Sequence, residues 1–431
     1  MLDRSKDILL PVMGGYEDDE DFASSGPAEG YSVCARCFDD RYIRAFIEES
    51  LDSKECDFCE RKGRTKKIAA PLNGVVDFIL EAVNREYQHA VEALGWESAE
   101  GGYQGAHWDS YDLIEQIGLG LPNDDGKLLE VLVECFGNEP WCDRNPYSQR
   151  EDERLVSSWE RFCEFIKYKR RYFFFQQKEE EILAPGEYLS PAELLEFIGE
   201  TAKNLGLVKI LRAGFLIYRA RQFEAGKVLT SSYHFAPPPV ERAVKSNRMS
   251  PAGVVMFYGS DDARTAVAEI DDDPTVGIAV GTFRTTREAK ILDLTSLPRR
   301  LGFFETQSDS DDRNRYELAF LHNFVKSMAA KVAAGDREHI DYVPTQVVTE
   351  WFRTAFECRQ TGIDGILYPS TQNPGGCSLV LFANRYDVVL SPVELKAAAG
   401  DSEMEVWSLR HRHEKAWLKL IRRRVVRIAQ G

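Results

Sequence analysis

The sequence predicts an α+β fold, in which a small cysteine-bearing module and a helical region precede a domain of strands and helices. Three observations favour this fold. Two close cysteine pairs lie within the first seventy residues, apolar residues recur at helical spacing from residue 73, and short strand-like runs interrupted by a few helices follow residue 206. We predict four segments, listed in order: an acidic arm with the cysteine module (1–70), a helical domain (71–205), an α+β domain (206–400) and a basic C-terminal helix (401–431).

Length and composition narrow the class of protein. A chain of 431 residues suits roughly two to four domains, and 43% hydrophobic with 29% charged residues is the balance of a globular protein. The 54 Lys and Arg residues against 70 Asp and Glu residues give a net charge of −16, so we expect neither a general nucleic-acid binder nor a binder of acidic membranes. No apolar run approaches the roughly 18 residues of a membrane span, and the N-terminus lacks the apolar core of a signal peptide. These features predict a cytoplasmic protein.

Four of the nine cysteines form two pairs, Cys34-Ala-Arg-Cys37 and Cys56-Asp-Phe-Cys59. A two-residue gap lets both thiolates of a pair bind one ion, and this doubled spacing is typical of a tetrahedral structural Zn²⁺ site. The alternative is a set of incidental or redox-active cysteines, although a thioredoxin-type pair would need a βαβ context that the sequence does not show. We expect the remaining five to pack in the core, with Cys135 and Cys377 buried, and an odd total makes complete disulfide pairing impossible.

The periodicity predicts the elements in order. Helices are expected from 73, at 109–118, 126–137, 154–181 and 190–205, the last opening with an N-cap at Ser190, proline next and Glu193 closing a capping box. Strands are expected at 215–219, 253–259, 276–283, 289–294, 364–368 and 378–383, and further helices at 261–270, 314–334 and 344–359. The basic tail suggests an amphipathic helix, which either docks on the acidic body of the protein or binds a membrane surface or nucleic acid.

One stretch of the α+β domain concentrates polar residues between a turn, a strand and a helix. Arg248 precedes a Pro/Gly turn, the following strand ends at Tyr258, and the next helix ends at Glu269. Composition alone would make Glu269 one more carboxylate in an acidic turn and Tyr258 a packing residue.

The order and spacing of these residues resemble the RES domain family over roughly 206–395. The resemblance rests on Tyr218-Arg219-Ala220-Arg221, Asn247-Arg248 with Pro251 and Gly253, Tyr258, Ala266-Val267-Ala268-Glu269, Asp364-Gly365-Ile366-Leu367-Tyr368-Pro369-Ser370 and Gln372-Asn373. Tyr258 lies ten residues after Arg248, and Glu269 lies eleven after Tyr258. The N-terminal half, through its cysteine segment, resembles the HEPN-like region that precedes some RES domains. Arg85 and His89 are too close together for the ribonuclease motif of active HEPN domains.

The resemblance implies an ADP-ribosyltransferase-like mixed β-sheet domain that cleaves the nicotinamide–ribose bond of NAD⁺ by hydrolysis or phosphorolysis, often as a toxin. It also implies roles for individual residues. A buried Glu269 would stabilise the positive charge on the ribose, and Arg248 and Arg219 would bind the diphosphate. Tyr258 would stack on nicotinamide, while Ser370 and, less strongly, Asn373 would position the substrate.

Two other functions fit the same residues. One is an ADP-ribosyltransferase that modifies a protein or nucleic acid, and the other is a non-enzymatic interaction protein that senses NAD⁺. Water, phosphate or a macromolecule could accept the ADP-ribose. An antitoxin, a regulatory protein, the N-terminal module or self-association could restrain a toxic activity.

Overall fold

The computed structural model describes residues 22–99, 101–122, 126–173, 188–224, 227, 229–270, 273, 275–305, 309–330, 337–399 and 403–427. The chain divides into two compact units, Met1–Arg150 with Leu301–Arg315, and Glu151–Arg300 with Tyr316–Gly431. The boundaries expected near 70, 205 and 400 do not coincide with this division. The helices at 151–168 and 191–204 share an apolar core with the sheet of the second unit, because their buried leucines and phenylalanines have no other surface to cover.

The first unit contains five helices and six short strands among the described residues. Its helices are α1 (Arg41–Glu49), α2 (Leu72–Glu86), α3 (Ala90–Ala93), α4 (Ser110–Gln116) and α5 (Lys127–Phe136). Its strands are β1 (Ser32–Cys34), β2 (Ala69–Pro71), β3 (Tyr87–His89), β4 (Trp96–Glu97), β5 (Gly102–Tyr103) and β6 (Trp141–Asp143). Helix α2 is the helix predicted from residue 73, and its buried positions recur every three or four residues, which places one face in the core.

The part of the second unit that the structure describes contains the large sheet and nine further helices. The helices are α6 (Glu151–Tyr168), α7 (Pro191–Asn204), α8 (Ser232–Phe235), α9 (Ala263–Ala268), α10 (Asp309–Ala329), α11 (Glu338–Asp341), α12 (Val343–Thr354), α13 (Pro392–Ala399) and α14 (Glu403–Arg412). Helix α10 begins in the segment assigned to the first unit. The strands are β7 (Val208–Leu211), β8 (Leu216–Phe223), β9 (Phe257–Ser260), β10 (Gly277–Thr285), β11 (Ala289–Asp293), β12 (Gly365–Pro369), β13 (Cys377–Leu381) and β14 (Leu418–Arg427).

These eight strands form one mixed sheet in the order β14-β10-β8-β9-β13-β12-β11-β7. Every neighbouring pair is antiparallel except β11 with β12, which is parallel. Helices α6, α7, α10 and α12 cover one face of the sheet near β11, β12 and β13, and α9 covers the same face beside β8 and β10. The opposite face is covered by α8 and by the segment that leads into β14. The α+β prediction is confirmed.

Several predicted elements need correction. The basic tail is not one helix, because α14 ends at Arg412 and the apolar residues that follow belong to β14, which pairs antiparallel with β10. Leu418 and Leu420 alternate as a strand requires and join the core beside Phe283. Helix α6 ends at Tyr168 rather than at 181, and residues 174–181 lie outside the described ranges. Cys377 is partly exposed, since it opens β13 at the end of the sheet, whereas Cys135 is buried.

Among the described residues, no helix combines the length and the apolar character that crossing a membrane requires.

Candidate active site

A row of polar side chains crosses the middle of the sheet on one face. In register, Tyr218 of β8 is paired with Ser260 of β9, Ser260 with Ser378 of β13, and Ser378 with Tyr368 of β12. Residues directly opposite in antiparallel strands project their side chains to the same face. The row therefore builds a polar floor beneath α9.

Helix α9 places Glu269 at the edge of this floor. Asp262 caps the helix by accepting from the backbone N–H of Arg264 at 2.7 Å and of Thr265 at 2.9 Å. Ala266 packs against Ala220 of β8, and such small residues let the short helix lie close to the sheet. Glu269 directly follows the last residue of α9, so its position is set by the helix and not by a flexible loop.

Two serine hydroxyls hold the Glu269 carboxylate. Ser370 Oγ donates to Oε1 at 2.6 Å, and Ser378 Oγ donates to the same oxygen at 2.9 Å. Both serines are buried, but Glu269 itself is exposed, so the expectation of a buried carboxylate is wrong. The reason is that the helix end opens onto a cavity. The second oxygen, Oε2, has no such donor among the described side chains.

Tyr258 of β9 and Ser250 form a second polar pair in the same region. The Tyr258 hydroxyl and Ser250 Oγ lie 2.8 Å apart. Burial raises the pKa of Tyr258 to about 12, so the phenol stays neutral near physiological pH.

Arg219 of β8 is 6% exposed and lies where β8 and β9 separate, since the two strands pair only at Tyr218 and Ser260. Its guanidinium donates to the Tyr258 carbonyl and lies 4.8 Å from the centre of the Phe257 ring. The Nε atom is buried without a hydrogen-bond partner among the described residues. Burial lowers the pKa of Arg219, with a further contribution from Arg221, and burial lowers the pKa of Arg221 to about 10. No described carboxylate pairs with either guanidinium.

These side chains line one cavity of about 410 Å³. Its walls include Arg219, Arg221, Tyr258 and Glu269 together with the following residues that sequence reasoning did not select for the site: Arg242, Lys245, Ser250, Tyr368 and Ser378. Four basic side chains therefore face a single described carboxylate. A cavity with this excess of positive charge, and with a buried guanidinium that lacks a counter-charge, is suited to an anionic ligand.

Three predicted site residues do not line this cavity. Ser370 donates a hydrogen bond to Glu269 but does not itself line the cavity. Asn373 Nδ2 donates to Thr265 Oγ1 at 2.7 Å, so it fastens the loop after β12 to α9. Arg248 donates to the Met328 carbonyl at 3.0 Å and to the Ala330 carbonyl, and it lines a different cavity of about 280 Å³.

The two cavities lie close together. Both Arg248 and Glu269 act on the pKa of Tyr342, which burial raises, and the Tyr342 ring centre lies 5.6 Å from the Arg248 guanidinium carbon. Ser378 is the clearest residue missed from the sequence. Its signal was a single polar residue in an otherwise apolar strand, and nothing local indicated that it would face Glu269 across more than one hundred residues.

The four cysteines predicted to bind a metal meet at one point in the first unit. The Sγ atoms of Cys34, Cys37, Cys56 and Cys59 all lie within 4.8 Å of one another. The first three residues are buried. Hydrogen bonding to the Cys34 sulfur, together with Cys56 and burial, raises the pKa of Cys37, because four thiolates this close repel one another unless a cation joins them. The cluster could hold a metal such as zinc.

The comparisons with protein families agree with this arrangement. Residues 49–180 match the HEPN/RES N-terminal domain 1, and residues 216–407 match the RES domain. No curated protein and no solved structure matches the chain significantly. The RES match contains every residue of the cavity named above, and the HEPN/RES match contains the second cysteine pair. The chain therefore contains a RES domain, with an HEPN/RES N-terminal domain on its N-terminal side.

Proposed function

We propose that this protein cleaves the nicotinamide–ribose bond of NAD⁺ by hydrolysis or phosphorolysis and acts as a toxin-type effector. The RES domain is consistent with an NAD-related enzyme. The observation that carries the proposal is one cavity that combines a carboxylate fixed by two hydroxyls with a buried guanidinium that pairs with no described carboxylate. NAD⁺ needs both groups, because it carries an anionic diphosphate and develops positive charge on the ribose as nicotinamide leaves.

Glu269 would act on the ribose. Because both serines donate to Oε1, the lone pairs of Oε2 remain free to face the sugar and stabilise the oxocarbenium-like transition state. The bond between the ribose carbon and the ring nitrogen breaks, and its electron pair leaves with neutral nicotinamide. Water or inorganic phosphate then forms the new bond to that carbon and, in the case of water, loses a proton.

The basic side chains would hold the diphosphate. Arg219 lines the cavity and pairs with no described carboxylate, so its guanidinium could donate to a phosphate oxygen. Tyr258 would present its ring to nicotinamide as a neutral phenol. Arg248 would contribute its positive charge from the neighbouring cavity, and Ser370 and Asn373 would set the position of Glu269 and its loop.

For the first unit we propose a structural Zn²⁺ held by Cys34, Cys37, Cys56 and Cys59. Four sulfurs leave no open coordination position, so the ion would stabilise the fold and take no part in the chemistry.

The experiment incubates the purified protein with NAD⁺, with and without inorganic phosphate, and quantifies nicotinamide and the ribose product by mass spectrometry. Glu269→Gln should lower turnover by at least about a hundredfold while its melting temperature stays close to that of the original protein. Glu196→Gln is the matched control, because Glu196 is exposed on α7 and does not line the cavity. Absence of nicotinamide under both conditions would contradict the proposal. Labelled NAD⁺ that leaves a covalently labelled macromolecule would instead indicate ADP-ribosyl transfer.

A further inference from the structure

Strand β14 is one of the two edge strands of the sheet, and β7 is the other. One edge of β14 pairs with β10. On the other edge the Val389 N–H donates to the Leu418 carbonyl at 2.9 Å, and Val388 forms an isolated bridge to the same residue. Beyond Leu418, no described residue pairs with this outer edge. An unpaired edge presents backbone N–H and C=O groups that can bind another extended chain.

The side chains of this strand combine positive charge with exposed apolar surface. The side chains of Arg422, Arg423 and Arg424 are exposed and make no ion pair or hydrogen bond with any described residue, although their backbones pair with β10. Around them Ile421 is 43% exposed, Val425 55% and Val426 46%. From residue 418 to 427 the strand holds five Lys and Arg residues and no acidic residue, although the whole chain carries a net charge of −16.

Register shifts occur in the pairing of β10 with β14 between Ile278 and Ala279 and between Thr282 and Phe283. Between these shifts, Arg422 to Val425 pair one to one with Thr282 to Ala279. The arginines therefore lie on a regular stretch of strand and alternate between the two faces of the sheet.

We propose that the outer edge of β14, defined as Lys419–Val426, binds an acidic peptide segment of a partner protein in extended conformation, as a ninth strand. Backbone hydrogen bonds would supply affinity, and carboxylates opposite Arg422, Arg423 and Arg424 would supply specificity. This inference does not depend on the proposed cleavage of NAD⁺. It also lies outside the RES match, which ends at residue 407.

Two other occupants fit less well. A second copy of β14 would place arginines opposite arginines, and like charges opposite one another destabilise a strand pair. A nucleic acid could pair with the arginines, but a phosphate backbone offers few donors for the strand carbonyls and buries none of the exposed valines. A third explanation is that charges and bulges only protect the edge from aggregation, in which case it binds no peptide.

The test uses the full-length protein and fluorescence anisotropy with a labelled peptide of about ten residues that alternates glutamate and valine. We expect saturable binding that weakens with salt. A peptide of the same sequence with N-methylated backbone amides should bind at least about tenfold more weakly, because it keeps the charges but loses the donors. Equal binding of the two peptides would overturn strand addition. Tighter binding of a single-stranded thymidine oligonucleotide would overturn the choice of a peptide. Absence of any peptide binding would also contradict the proposal and would favour the explanation that the edge is only protected from aggregation.

Variants of the protein test whether the peptide binds at β14. The triple variant R422E/R423E/R424E should lose about tenfold or more in peptide affinity. The matched control R61E/R64E/K66E makes the same charge change at exposed residues of the first unit and should bind nearly as well as the original protein. Equal losses in both variants would show unspecific attraction and contradict the proposal. R422Q/R423Q/R424Q provides a second test if charge reversal prevents folding.

Discussion

Ser378→Ala is the most direct test of how the cavity positions its carboxylate. The substitution removes one hydroxyl that donates to Glu269 Oε1 at 2.9 Å and leaves the Ser370 contact at 2.6 Å in place. Ser378 is buried in β13 and its side chain faces the cavity that holds Glu269. If the proposed role of Glu269 is right, the loss should appear in catalysis more than in stability.

The magnitude follows from the strength of a hydrogen bond to a charged group. Such bonds contribute about 1.5–3 kcal/mol, which corresponds to about 10- to 150-fold in rate. Because Glu269 is exposed and keeps Ser370, we expect the lower end, a decrease of about tenfold in kcat/KM. The assay is the initial rate of nicotinamide release from NAD⁺.

Two further variants make the result interpretable. Ser378→Thr keeps a hydroxyl and should recover most of the activity. Ser296→Ala removes a serine that donates to Asp293 at 2.8 Å outside the cavity, so it should leave kcat/KM unchanged. Our reasoning would be refuted if Ser378→Ala had the original kcat/KM, or if Ser296→Ala lost as much activity.

Three other predictions address the guanidinium, the cysteine cluster and a capping glutamate. Arg219→Met should weaken NAD⁺ binding by at least about tenfold in calorimetry, because the diphosphate loses a buried donor; unchanged affinity would contradict its role. Cys56→Ser should lower bound zinc, measured by atomic absorption, and the melting temperature, whereas Cys142→Ser, outside the cluster, should keep full zinc content. Burial raises the pKa of Glu394, but hydrogen bonds from the Ser391 and Ser232 amides and the Ser231 hydroxyl outweigh it and lower the pKa to about 2. The lowered pKa of Glu394 stabilises the fold above its ordinary value of 4.5, and this stabilisation is lost as the pH falls toward 2. Between about pH 6 and about pH 3, the urea midpoint of Glu394→Gln should therefore fall less than that of the original protein. Equal declines in the two proteins would contradict this prediction.

Local signals in the sequence were sufficient for most individual elements. Helix α7 was predictable from Ser190 and Glu193, and the structure has their reciprocal capping hydrogen bonds. Tyr258 and Glu269 are candidates because their spacing after Arg248 resembles the RES domain family, whereas composition alone would make them a packing residue and a surface carboxylate. The cysteine cluster was equally accessible, since two short pairs place their own thiols together.

Contacts between distant parts of the chain were not accessible in this way. Ser378 contacts Glu269 only because β13 lies beside β9 in the sheet, and no local sequence pattern predicts this strand order. The same holds for Arg248, which faces carbonyls at the end of α10 rather than the cavity of Glu269. The apolar residues of the basic tail fit the helical period as well as the strand period, so the sequence predicts a helix there, and only pairing with β10 decides for a strand.

The sequence by itself therefore determined the α+β class and the cysteine cluster, because each depends on residues close together in the chain, and its resemblance to the RES domain family proposed Glu269 as the carboxylate. The tertiary structure decided which hydroxyls hold that carboxylate, which buried guanidinium pairs with no described carboxylate, and which basic strand lies at an edge of the sheet. Each of these depends on the order of strands in the sheet, and that order is set by the packing of the whole unit.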